Sequence, residues 1–207
     1  MGGGLSTWSV DSTDYEYYGG FRDWFRSLAI HASHWDLSVS PVDHYRQHTV
    51  VDGEANVILW HHGSEGHSNM SAKVGKKIFI DESPSQVLSD LYRAGADKIY
   101  LVLPFCCADW ATAEKWARAL ASSEMVGDIV LVKSESNEVR GCRFVEVVID
   151  MLLEKADSLY AGAFEYNERV AYSDRLSSVF HIEKKINRLA FLSRIDMITG
   201  EKIETLV

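Results

Sequence analysis

Two short apolar runs, Val57-Ile58-Leu59-Trp60 and Ile99-Tyr100-Leu101-Val102-Leu103, constrain this chain more than any other feature. Each is short for a helix, rich in β-branched and aromatic residues, and apolar without alternation. That pattern marks strands covered on both faces, as in a parallel sheet. A helix signal separates them. Ser83-Pro84 opens it, Val87, Leu88, Leu91 and Tyr92 form its stripe, and Gly95 closes it. Strand, helix and strand in that order form a βαβ unit.

The same alternation continues. Ala111 to Ser122 is alanine-rich and helical, and Ile129 to Val132 is the next strand. The expected fold is α/β, a mainly parallel sheet flanked by helices on both faces. Residues 1–19 read as an extended lead-in with a short edge strand. Phe21, Trp24, Phe25, Leu28 and Ala29 predict a helix, and Trp35, Leu37 and Val39 a strand stopped by Pro41. Asp43 to His48 fits one helical turn. Gly63 to Asn69 reads as an irregular polar loop, with a short strand at Ile78 to Ile80. Phe144 to Ala156 reads as a helix. Ser173-Asp174 opens a second, with Leu176, Val179, Phe180, Ile186, Leu189 and Leu192 at mostly helical spacing. A hairpin turning at Thr199-Gly200 closes the chain. Residues 1–207 are taken as one domain, with residues 157–207 as a helical C-terminal elaboration.

Composition narrows the function classes. The chain has 207 residues, 46% hydrophobic and 25% charged, enough for a full core without staples. Its net charge of −9 argues against general nucleic-acid binding. The acidic surface leaves room for a protein partner. No apolar run approaches the ~20 residues of a transmembrane helix. The N-terminus lacks the basic region and apolar core of a signal peptide. The three cysteines, Cys106, Cys107 and Cys142, show no disulfide framework, so a reduced, cytoplasmic setting is expected.

The ends of the two apolar runs carry the chemistry. The first ends in His61-His62-Gly63, the second in Pro104-Phe105-Cys106-Cys107. If these strands are parallel neighbours, a histidine and a thiol emerge at one sheet edge, where open α/β sheets place their sites. Imidazole takes a thiol proton near neutrality and returns it to a leaving amine. Gly63 allows close backbone approach, and its amide is a candidate oxyanion donor. His61 alternates to the other face and is read as structural. The helix starting near Ala111 brings an N-terminus that favours thiolate at Cys106 or Cys107. Asp109 is a candidate for orienting the histidine or selecting a basic substrate, and equally for capping the helix. Cys142 is read as structural.

The order strand–His-Gly, loop, helix, strand–Cys resembles the caspase-like peptidases, which include caspases, metacaspases, CHAT proteases and toxin self-processing domains. The resemblance lies in Val57 to Gly63 and, in outline, in Leu101 to Ala108. It implies a caspase-like α/β domain and hydrolysis of a peptide or protein substrate through a thioester. His62 would be the base and Cys106 the nucleophile, with Cys107 the fallback. Backbone N–H groups near Gly63 and the cysteine would hold the oxyanion. Phe105 stands where the family usually has a small residue, and Cys107-Ala108-Asp109 where it usually has glycine. A catalytically inactive binding module on the same scaffold is the alternative. No cofactor and no metal are expected: His61, His62, His67 and the cysteine pair offer zinc donors without a standard interval.

Overall fold

A computed structural model describes residues 8–12, 38–41, 50–60, 62–64, 67–74, 77–103, 109–134 and 175–207. The helices expected over 21–30 and 144–156 and the helical turn expected over 43–48 lie outside them, as do His61 and all three cysteines.

The protein has an α/β fold. The large sheet holds β1 (Trp8–Ser12), β2 (Ser38–Pro41), β3 (Val50–Val51), β4 (Glu54–Trp60), β8 (Lys98–Leu103), β9 (Val126–Ser134), β10 (Leu176–Lys184), β11 (Phe191–Asp196) and β12 (Lys202–Leu206). Its order is β12-β11-β10-β9-β8-β4-β1-β2, with β3 paired to β4. A small antiparallel sheet contains β5 (His62–Ser64), β6 (His67–Val74) and β7 (Lys77–Glu82). The helices are α1 (Pro84–Arg93) and α2 (Trp110–Ser122).

Local chemistry explains why the elements start and stop where they do. Ser83 caps α1, its hydroxyl accepting from Gln86 N at 3.2 Å, and Pro84 takes the first helical position. At the other end Gly95 adopts φ +103°. Its N–H donates to Tyr92 and that of Ala96 to Leu91, a Schellman closure that satisfies two terminal carbonyls. Asp52 and Gly53 both have positive φ between the paired Val51 and Glu54, the geometry of a tight primed hairpin turn. The Gly53 carbonyl then accepts from Asp97 N (2.8 Å) and Lys98 N (3.1 Å), tying that turn to the start of β8.

One apolar cluster joins the helices to the sheet. Leu88 and Leu91 of α1 and Trp116 and Leu120 of α2 pack with Val57, Leu101, Leu103, Ile129, Phe180 and Leu192. Burying each such side chain contributes about 1.5–3 kcal/mol. The opposite face is shielded as well, since Val102, Val130, Val132 and Val179 are at most 2% exposed. The two described helices share this single cluster and so lie on one face of the sheet.

Lys184, on β10, is only 4% exposed. Its Nζ donates to the carbonyls of Leu120 (3.1 Å), Ala121 (3.4 Å) and Ser123, closing the C-terminus of α2 with a cation. Burial pushes its pKa down.

Four expectations are corrected. The strand in residues 1–19 is not at an edge: β1 lies between β4 and β2, parallel to both. The sheet is mixed rather than mainly parallel, because β10, β11 and β12 add antiparallel to β9. The helix expected from Leu176 to Leu192 is instead β10 and β11. Leu176, Val179 and Phe180 fit a helical period, but Phe180 and Ile182 both turn into the core two residues apart, and Ser178-Val179-Phe180-His181-Ile182 favours a strand. The C-terminal part is therefore strands from residue 175 onward. Finally, the loop expected at Gly63 to Asn69 contains strand residues of β5 and β6, with Ser64 opposite His67. Met70, Ala72 and Val74 alternate with polar residues, and β7 pairs along them.

Candidate functional site

The carboxyl ends of the parallel strands build one rim. β4 and β8 are parallel neighbours, with Val57 opposite Leu101 and Ile58 opposite Val102. On its other side β4 pairs with β1, placing Trp60 opposite Ser12. β9 runs parallel on the far side of β8, Leu131 opposite Leu103. From β1 the chain moves outward to β2, and from β4 it moves the other way to β8 and β9. That reversal between β1 and β4 is a topological switch point, where open α/β sheets leave a crevice at their carboxyl edge.

Of the candidate residues, His62, Gly63 and Asp109 are among those described. His62 and Gly63 begin β5, immediately after β4, with His62 opposite Ser71 of β6. The small antiparallel sheet therefore starts where the first catalytic candidate stands. Cys106 and Cys107 lie outside the described residues, in the 104–108 segment between β8 and α2.

Asp109 is described in full. It is the N-cap of α2, in extended backbone, and its Oδ1 accepts from Thr112 N at 2.7 Å. Its own carbonyl accepts from Ala113 N at 3.0 Å. Burial raises its pKa, but the Thr112 hydrogen bonds and the charge of Lys133 outweigh that and hold the carboxyl below the ordinary aspartate range. An ionised carboxylate at a helix N-terminus is also favoured by the helix dipole. The cap thus accounts for Asp109. Trp110 fixes the same turn from both sides: its indole N–H donates to Glu114 at 2.9 Å, and its ring meets Phe180 edge-on at 5.9 Å.

Lys133, near the end of β9, was not singled out by its sequence context. Its positive charge is one of the smaller causes that hold the Asp109 carboxyl low. Only the β8–α2–β9 crossover brings these two residues together, and no local pattern signals it.

A cavity of about 380 Å³ lies elsewhere, between the start of α1 and the middle and end of α2, lined by Ser83, Ser85, Lys115, Arg118 and Ser122 among others. It does not touch Asp109 or the strand ends. Among the described residues no three His, Cys, Asp or Glu side chains are grouped to hold a metal ion. Nor is any described helix long and apolar enough to cross a membrane.

No protein-family model matches the chain, and neither a curated protein nor a solved structure does so.

Proposed function

We propose that this chain is a cysteine peptidase of caspase-like type, with His62 as general base and Cys106 as nucleophile. The observation that carries the reading is the parallel pairing of β4 with β8, beside a switch point. His62 follows the end of β4 by two residues, and Cys106 follows the end of β8 by three. Adjacent strands lie about 4.8 Å apart, so β4 and β8 end side by side. The N-terminus of α2 begins just beyond the thiols, which favours a thiolate there.

In the proposed reaction His62 removes the thiol proton and the sulfur attacks the peptide carbonyl. The amide N–H of Gly63 is a donor for the resulting oxyanion. His62 returns the proton to the leaving amine, and water then hydrolyses the thioester. Cys107 is the fallback nucleophile. Asp109, already spent on Thr112, is assigned to the helix rather than to substrate. A reduced, cytoplasmic compartment suits such a thiol.

Phe105 favours a second reading, an inactive binding module on the same scaffold. Labelling with a thiol-directed alkylating probe separates the two. A peptidase shows one cysteine labelled much faster than the others, with the advantage lost in His62→Ala. Equal labelling of all three cysteines, unchanged by that substitution, supports the binding module.

A further inference from the structure

β12 forms one edge of the large sheet, and its outward groups can be assigned. Asp196 N donates to Glu201 O, and Val207 N donates to Ala190 O. In an antiparallel ladder such pairs alternate with pairs whose backbone groups point away. Residues 201, 203, 205 and 207 therefore turn their N–H and C=O groups toward β11, and Lys202, Glu204 and Leu206 turn theirs outward. All three of those residues are exposed, Leu206 at 54%, and among the described residues no strand pairs with this edge. Exposed apolar side chains gather beside it. Phe191 lies opposite Leu206 in the β11–β12 pair and is equally exposed, Ile203 is 37% exposed, and Ile198 in the preceding turn is 59% exposed.

The charges on this strand complement themselves. Lys202 and Glu204 stand on one face, already paired with each other. We propose that the outer edge of β12 pairs antiparallel with the same edge of a second copy of this chain, about a two-fold axis at Ile203. In that register Lys202 of each copy lies opposite Glu204 of the other, and the ion pairs join into one alternating ladder. Those two positions carry the outward backbone groups, so each pair exchanges two hydrogen bonds. Ile203 meets its own counterpart as a non-hydrogen-bonded pair, where side chains approach most closely. Moving the axis to Glu204 would instead set two carboxylates face to face. Self-complementarity of this kind is what an isologous two-fold interface requires. An unprotected edge with apolar side chains is otherwise a route to open-ended pairing, which closure into a dimer prevents.

A two-strand contact this short falls at the small end of specific interfaces, so a concentration-dependent equilibrium is expected rather than a permanent dimer. The proposal stands apart from the peptidase reading, since β12 lies at the far side of the sheet from β4. Sedimentation velocity of the full chain from low to high micromolar concentration tests it. The expected result is a monomer–dimer equilibrium that E204K abolishes, with an unchanged far-ultraviolet spectrum. The double variant K202E/E204K reverses both charges, restores the complementarity, and is expected to restore the dimer. A wild-type monomer throughout overturns the proposal. So does an E204K variant that still dimerises, or a folded double variant that stays monomeric.

Discussion

A Cβ on Gly127 would stand 1.9 Å from the carbonyl oxygen of Ile99. The two residues are partners in the parallel β8–β9 pair, and Gly127 holds φ +130°, outside the range of ordinary side chains. The chain that follows carries β9 into the middle of the sheet, so neither backbone has room to yield. Gly127→Ala should therefore destabilise by roughly 3 kcal/mol or more, through strain and clash together. Urea unfolding reads this as a lower midpoint at unchanged slope. A variant within about 0.5 kcal/mol of wild type would mean that β8 and β9 do not approach as described.

Lys184→Met should cost about 2 kcal/mol, because the carbonyls at the end of α2 lose their donor and the helix dipole loses its cation. The methionine stem keeps most of the packing, so the loss reports on Nζ. Thermal unfolding should show a drop of roughly 4–8 °C for a chain of this size. Lys184→Arg should fall between the two, its fork being a poor match for converging carbonyls.

Asp196 organises the turn between β11 and β12. Its Oδ1 accepts from Ile198 N (2.9 Å) and Thr199 N (3.0 Å), and its backbone bonds both Gly200 and Glu201. The Thr199 amide is the main cause that holds its carboxyl below the ordinary aspartate range, against a smaller upward push from burial. The unfolded chain therefore binds this proton at higher pH than the folded one. The contribution is intact above about pH 4 and is lost as pH falls through the folded value. Asp196→Ala should cost about 1 kcal/mol at pH 7. The gap between wild type and variant should shrink as denaturation is repeated toward pH 2.

Asp109 offers a clean separation of structure from chemistry. Asparagine caps helices about as well as aspartate, and alanine does so poorly. Asp109→Asn should leave both stability and thiol labelling near wild type, whereas Asp109→Ala should lose about 1 kcal/mol of stability. Selective loss of labelling in a stable Asp109→Asn variant would show that the carboxylate charge acts on the site.

Much of the fold was legible where a local rule meets no competitor. Ser83-Pro84 and Gly95 bracket α1 because capping needs only neighbours, and Asp109 caps α2 for the same reason. The parallel pairing of β4 with β8 followed from apolar runs on either side of a helix. The hairpin at Thr199-Gly200 carried its own turn chemistry. Asp52-Gly53 carries an equally strong hairpin signal, masked in the sequence by the longer apolar run it precedes. Leu176 to Ile182 misled because three apolar residues fit two periods, and only pairing with β9 and β11 chooses between them. At the candidate site, the strand ends and the Asp109 cap were readable. The Lys133 contribution was not, since it depends on a crossover that joins residues distant in the chain.

The position of β9 bears on how the protein is made. Val130 and Val132 are almost wholly buried, yet the strand that completes one side of β9 begins only at Leu176, long after Ser134 has emerged. A nascent chain leaving the ribosome therefore passes through a stage in which the innermost sheet edge is open. Synthesis at ~5–20 residues per second leaves that edge bare for seconds. Chaperone demand should peak in that interval and end when the β10–β12 meander folds over it.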